Sequence, residues 1–124
     1  MPVLSARSKH NLSQCHPDLQ RVFAKVAETE PIEIICGHRN KADQDKVYRE
    51  GFSRVRWPNS RHNSSPSQAA DVLPLPIDWE NLVAFKRLAE RIKEIAALMG
   101  VPIDWGGDWA HFPDFPHWEL ATTH

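Results

Sequence analysis

Apolar residues recur at two periods along this chain, and the changes of period predict its elements. Leu82, Phe85, Leu88, Ala89, Ile92, Ile95, Ala96 and Met99 are spaced by threes and fours, as one face of a helix requires. Gly100 and Pro102 stop that helix, and Asp78 is its expected N-cap. Leu19, Val22, Phe23 and Val26 repeat the helical spacing after His16-Pro17-Asp18, where a proline suits the first turn. Pro31 ends that stretch. Residues 32–36 form a short β-branched run that reads as a strand, broken by Gly37. Residues 41–50 read as a second, polar helix closed by Gly51. Residues 52–68 are rich in serine and contain Pro58 and Pro66, a long loop of the kind that often carries function. Residues 69–75 are apolar around Asp71 and read as a strand. Two more strands are expected at 101–105 and 116–120, with a turn at Gly106-Gly107. Helices and strands mix without regular βαβ alternation, which predicts an α+β fold: a small antiparallel sheet with helices packed against it.

Composition narrows the classes. A chain of 124 residues fits one domain, here residues 1–124, with one core. The 41% hydrophobic and 25% charged residues match an ordinary globular protein. A formal net charge of −1 offers no bulk attraction to nucleic acid or an anionic membrane. No run approaches transmembrane length, and the first residues lack the apolar core of a signal peptide. Synthesis in the cytoplasm is expected, so action outside the membrane would need release by something else. Cys15 and Cys36 are too few for a disulfide framework; Cys36 ends an apolar run and reads as a small buried hydrophobe, and a bridge between the two stays open.

Four residues invite chemistry. Asp114 stands three residues before His117, among aromatics and prolines. That pair suits a ligand and a base, or a turn carboxylate beside a half-buried strand histidine. His62 lies in the polar loop and reads as an exposed histidine or a ligand. Asp71 sits between apolar neighbours, where an ionised carboxylate needs backbone donors, an arginine or a metal. Two histidines and one carboxylate form a known catalytic zinc set, with a second carboxylate available as general base. On the final strand His117 and Glu119 share a face. Trp105, Trp109 and Trp118 read as core or as stacking surfaces for substrate, His38 and His111 as wall or surface residues, and Asp108 as a turn carboxylate or a helper near the site.

These motifs resemble the zinc peptidases of the D-alanyl-D-alanine carboxypeptidase and dipeptidase family, and within it phage L-alanyl-D-glutamate endopeptidases, the endolysins that cut peptidoglycan stem peptides. The likeness covers nearly the whole chain. It rests on Ser60-Arg61-His62, Ala69-Ala70-Asp71, Asp114-Phe115-Pro116-His117, Gly37-His38-Arg39, Gln44 and the Trp-Gly-Gly-Asp-Trp segment at 105–109. The resemblance implies a hedgehog-like fold with one Zn2+ on the sheet, held by His62, Asp71 and His117. It implies Asp114 as base and Arg39 as the residue that steadies the oxyanion. Gln44 is then a holder of Arg39, and Ser60 a brace for His62. Two departures stand out. Relatives often separate the first His from the Asp by seven positions; here the separation is nine, within a serine-rich loop. Carboxypeptidase and dipeptidase relatives often carry Glu-x-x-His, where this chain has Asp-x-x-His, which favours the endopeptidase branch. A stem-peptide substrate, a monomer and delivery to the wall through a phage-encoded pore are the corresponding expectations. A D,D-carboxypeptidase or dipeptidase and a catalytically silent wall-binding module are the alternatives.

Overall fold

A computed structural model describes residues 3–121. In chain order the elements are α1 (Ala6–Ser13), α2 (Pro17–Ala27), β1 (Ile32–Cys36), α3 (Lys41–Arg49), β2 (Ala69–Pro74), α4 (Leu82–Leu98), β3 (Ile103–Trp105) and β4 (His117–Leu120). Short 3₁₀ turns cover Arg61–Asn63 and Gly106–Asp108. The four strands form one antiparallel sheet in the order β1-β2-β4-β3. This is the α+β architecture that the hydrophobic pattern predicts.

One face of the sheet carries the core. Leu19, Val22, Phe23 and Val26 of α2 and Phe85, Leu88, Ile92 and Ile95 of α4 pack there against Ile34, Val72 and Trp118. Burying each of the larger side chains stabilises the fold by roughly 1.5–3 kcal/mol relative to leaving it in water. Trp105 and Trp118, partners across β3 and β4, stack at 5.8 Å and are both core.

The structure corrects several expectations. Helix α4 starts at Leu82, not after Asp78: Asn81 caps it by accepting from the Ala84 N–H. Asp78 instead accepts from the Glu80 N–H in a preceding turn. Leu82, at the start of the stripe, is 40% exposed and outside the core. Helix α1 carries only one large apolar residue on its buried side, Leu12, and so has no readable stripe. Ser5 caps it, and Ser5 and Ser8 both donate to Glu33, fixing it beside β1. The two cysteines are free. Cys15 is buried in the core, where burial pushes its thiol up to about 12. Cys36 is only half-buried and belongs to the other face of the sheet.

The turn of Cys36 away from the core has a local cause. Ile34 pairs with Val72, but Cys36 pairs with Asp71, so β1 spends two residues where β2 spends one. Such a bulge reverses the in–out alternation and re-aims the following side chain.

A candidate metal and hydrolytic centre

The face opposite the core presents a row across three strands. Cys36 on β1 and His117 on β4 are both register partners of Asp71 on β2, so their side chains share one face. His62 reaches this row from its 3₁₀ turn, which Ser60 caps. It is a buried side chain, not the exposed loop histidine that its polar neighbours suggest.

The ring nitrogens are sorted by their partners. His62 Nδ1 lies 2.7 Å from the Gly37 carbonyl, an acceptor only, so Nδ1 carries the proton. Nε2 is the nitrogen turned to the site, facing Asp71 Oδ1 at 3.2 Å. His117 is arranged the other way round: Nε2 donates to Glu119 Oε1 at 2.7 Å, and Nδ1 faces the same Asp71 oxygen at 3.5 Å. The two rings stand 5.1 Å apart at 73°. Burial works against ionising both groups, but the Asp71 carboxylate beside it raises the His62 pKa. Burial likewise opposes the Asp71 charge, and the two imidazoles outweigh it and hold the carboxyl well below its usual range.

Arg39 closes the site from the β1 side. Its Nη2 lies 3.4 Å from Asp71 Oδ2, and its Nη1 donates to Gln44 Oε1 at 2.9 Å. Gln44 is fully buried and its amide is saturated: Oε1 also accepts from Asn63 at 3.2 Å, while Nε2 donates to Val55 O at 2.7 Å and Ser53 Oγ at 3.0 Å. Ser60 contacts the backbone of His62, accepting from its N–H at 3.2 Å.

Asp114 stands above the row. Its carbonyl accepts from the His117 N–H at 3.2 Å, so Asp-x-x-His is a turn that stacks the two residues. Its own N–H donates to Gly106 O at 2.9 Å. A Cβ on Gly106 would lie 2.3 Å from the Asp114 carbonyl oxygen and 3.0 Å from His117 Cβ, so this position admits only glycine without a shift. Burial, then the nearby Asp71 charge, raises the Asp114 pKa, against the opposing pull of His117, His62 and Arg39. A carboxylate so tuned is a better proton acceptor than an exposed one. Trp109 lies 5.0 Å from the His117 ring.

Cys36, His62, Asp71, His117, Arg39 and Asp114 line one open cleft of about 960 Å³. His38 borders it too, whereas Asp108 is committed to Lys93 at 2.6 Å and His111 is exposed.

The donor chemistry suits a borderline divalent metal. Cys36, His62 and Asp71 each offer one donor atom within 4.8 Å of the others. His117 Nδ1 adds an imidazole nitrogen facing the same carboxylate. Imidazole and carboxylate donors fit zinc, and the hydrogen bonds at the far ring nitrogens already aim His62 Nε2 and His117 Nδ1 at one point. Cys36 Sγ sits 3.8 Å from His62 Nδ1 and 3.8 Å from Arg39 Nη2, on the side away from His62 Nε2.

Sequence reasoning missed three contributors: Cys36, turned over by the bulge; Asn63, which bonds both the Arg39 carbonyl at 3.0 Å and Gln44; and the Gly37 carbonyl that orients His62. The capping spacing Ser60-x-x-Asn63 was the one available signal for a tight turn there.

The chain is similar to known proteins over nearly its whole length. A family model described as phage L-alanyl-D-glutamate peptidase matches residues 2–122. The L-alanyl-D-glutamate peptidase of Escherichia phage T5 is 26% identical over 113 residues, covering 87% of this chain and 82% of the relative. The crystal structure of the Serratia marcescens L-Ala D-Glu endopeptidase ChiX superposes with a TM-score of 0.82 at 31% identity, covering 96% of this chain and 90% of that one.

Proposed function

The chain belongs to the phage L-alanyl-D-glutamate peptidase family, and we propose that it hydrolyses the L-alanyl–D-glutamate bond of peptidoglycan stem peptides using one zinc ion held by His62, Asp71 and His117. Residues 1–124 act in this reading as one catalytic domain and as a monomer. The observation that carries it is the convergence of two imidazole nitrogens on one oxygen of Asp71, with Asp114 beside them.

A zinc ion held by His62, Asp71 and His117 would polarise the scissile carbonyl and acidify the attacking water. Asp114 would take the proton from the attacking water and return it to the departing D-glutamate amine, for which its raised pKa suits it. Arg39, braced by Gln44, presents a fixed cation where negative charge builds on the carbonyl oxygen; such a group contributes about 3 kcal/mol.

The test combines metal analysis with mass spectrometry of the products from defined peptidoglycan. Wild type should release a free L-alanine carboxyl and a new D-glutamate amine. Asp114→Ala should keep a full equivalent of zinc and lose at least about 100-fold in kcat; His117→Ala should lose the metal. Full turnover by Asp114→Ala would remove the base assignment, and products cut at D-Ala-D-Ala would make the enzyme a carboxypeptidase. Access to the wall through a pore made by another protein belongs to the same proposal. No helix among the described residues is long and apolar enough to cross a membrane.

A further inference from the structure

We infer that Glu119 is a positioning residue for His117, holding the ring with its Nε2–H on the Glu119 carboxylate and its Nδ1 toward Asp71, where it can bind a metal; this rests on the reading of His117 as a metal ligand. An ionised carboxylate can only accept, so the 2.7 Å contact with Glu119 Oε1 assigns the ring proton to Nε2. Strand alternation explains the reach: residues 117 and 119 of β4 project from one face of the sheet. Both side chains are mostly buried, 8% and 20% exposed, so bulk water competes little for the Nε2 proton.

Arg61 pairs with Glu119 by charge, without a hydrogen bond. Its Nε lies 3.8 Å from Glu119 Oε2, and its Nη2 donates to Leu120 O at 2.8 Å, fixing the guanidinium along β4. Arg61 belongs to the same 3₁₀ turn as His62. The chain Arg61–Glu119–His117 therefore ties the turn that carries one imidazole to the strand that carries the other. His62 uses a backbone carbonyl for the task that Glu119 performs at His117. A carboxylate makes the imidazole more electron-rich than a carbonyl does, and partners of this kind alter metal affinity by about 10–100-fold.

The test measures zinc affinity by competition with a chromogenic chelator in wild type, Glu119→Ala, Glu119→Gln and His117→Ala. It adds a long-range proton–nitrogen spectrum of the zinc-loaded protein. Glu119→Ala should bind zinc about 10–100-fold more weakly and lose the exchange-protected Nε2 proton of His117. Glu119→Gln, which keeps an acceptor without the charge, should fall between it and wild type and retain the proton signal. Affinity within about twofold of wild type in Glu119→Ala, with the proton still protected, overturns the proposal. If Glu119→Ala fails to fold, Glu119→Gln decides, and wild-type affinity there overturns it. If His117→Ala itself retains wild-type affinity, it is the ligand reading that falls; a weak His117→Ala beside an unaffected Glu119→Ala removes Glu119 alone.

Discussion

Arg39 shows how much a single side chain owes to its shape. One guanidinium nitrogen reaches Gln44 and another faces Asp71, so the group spans two partners from a fixed plane. A lysine is a point charge on a flexible stem and cannot span both. Arg39→Lys should therefore behave almost like Arg39→Ala: kcat lower by about 100-fold, zinc content unchanged, measured by steady-state kinetics beside metal analysis. The cysteines make a second contrast. With its pKa near 12, Cys15 has about one thiolate in ten thousand at pH 8. Native protein should label at one thiol, Cys36 in the cleft, and at two only after unfolding, as counted with a chromogenic disulfide reagent. A labelled Cys15 in folded protein would contradict its burial. The closeness of His117 and Asp114 was legible in the sequence through their spacing, because Asp-x-x-His is a local turn. Cys36 was not, since its direction depends on a bulge that periodicity alone does not reveal.

Elements were read best where one face repeats. Helix α4 and strand β1 follow from spacing and composition, because a long stripe or a β-branched run needs no tertiary information. The start of α4 did not, because Asp78 and Asn81 are both good caps and only the backbone decides between them. Asn81 caps the helix through the Ala84 N–H; Asp78 only closes a turn. Asn81→Ala should cost about 1 kcal/mol in urea unfolding, and Asp78→Ala distinctly less. Equal costs would mean that the helix begins earlier than its hydrogen bonds indicate. Helix α1 stayed hidden for the opposite reason. Its hold on the fold comes from Ser5 and Ser8 bonding to Glu33, contacts distant in sequence that leave no apolar stripe.

At the scale of the molecule, the proposed ligands are distributed so that metal and fold support each other. Asp71 and His117 come from neighbouring strands, and His62 comes from a turn pinned to Gly37 at the end of β1. None of them is near another in sequence in the manner of a zinc finger, so the unfolded chain binds the ion far less well than the folded one. A ligand that binds only the native state stabilises it by about 4 kcal/mol when present at 1,000 times its Kd. For a domain of this size that corresponds to roughly 10–15 °C in Tm. Calorimetry with a chelator in excess should therefore lower Tm by about that amount, and restoring zinc should return it. His117→Ala serves as the control: its Tm should start low and barely respond to the chelator. The apolar core on the opposite face needs no ion, so the metal-free protein should still melt cooperatively with its helices intact by circular dichroism. A wild-type Tm unmoved by chelation, in protein shown to have lost its metal, would mean that this arrangement forms without regard to zinc, and the coupling of ligand geometry to fold stability would be wrong.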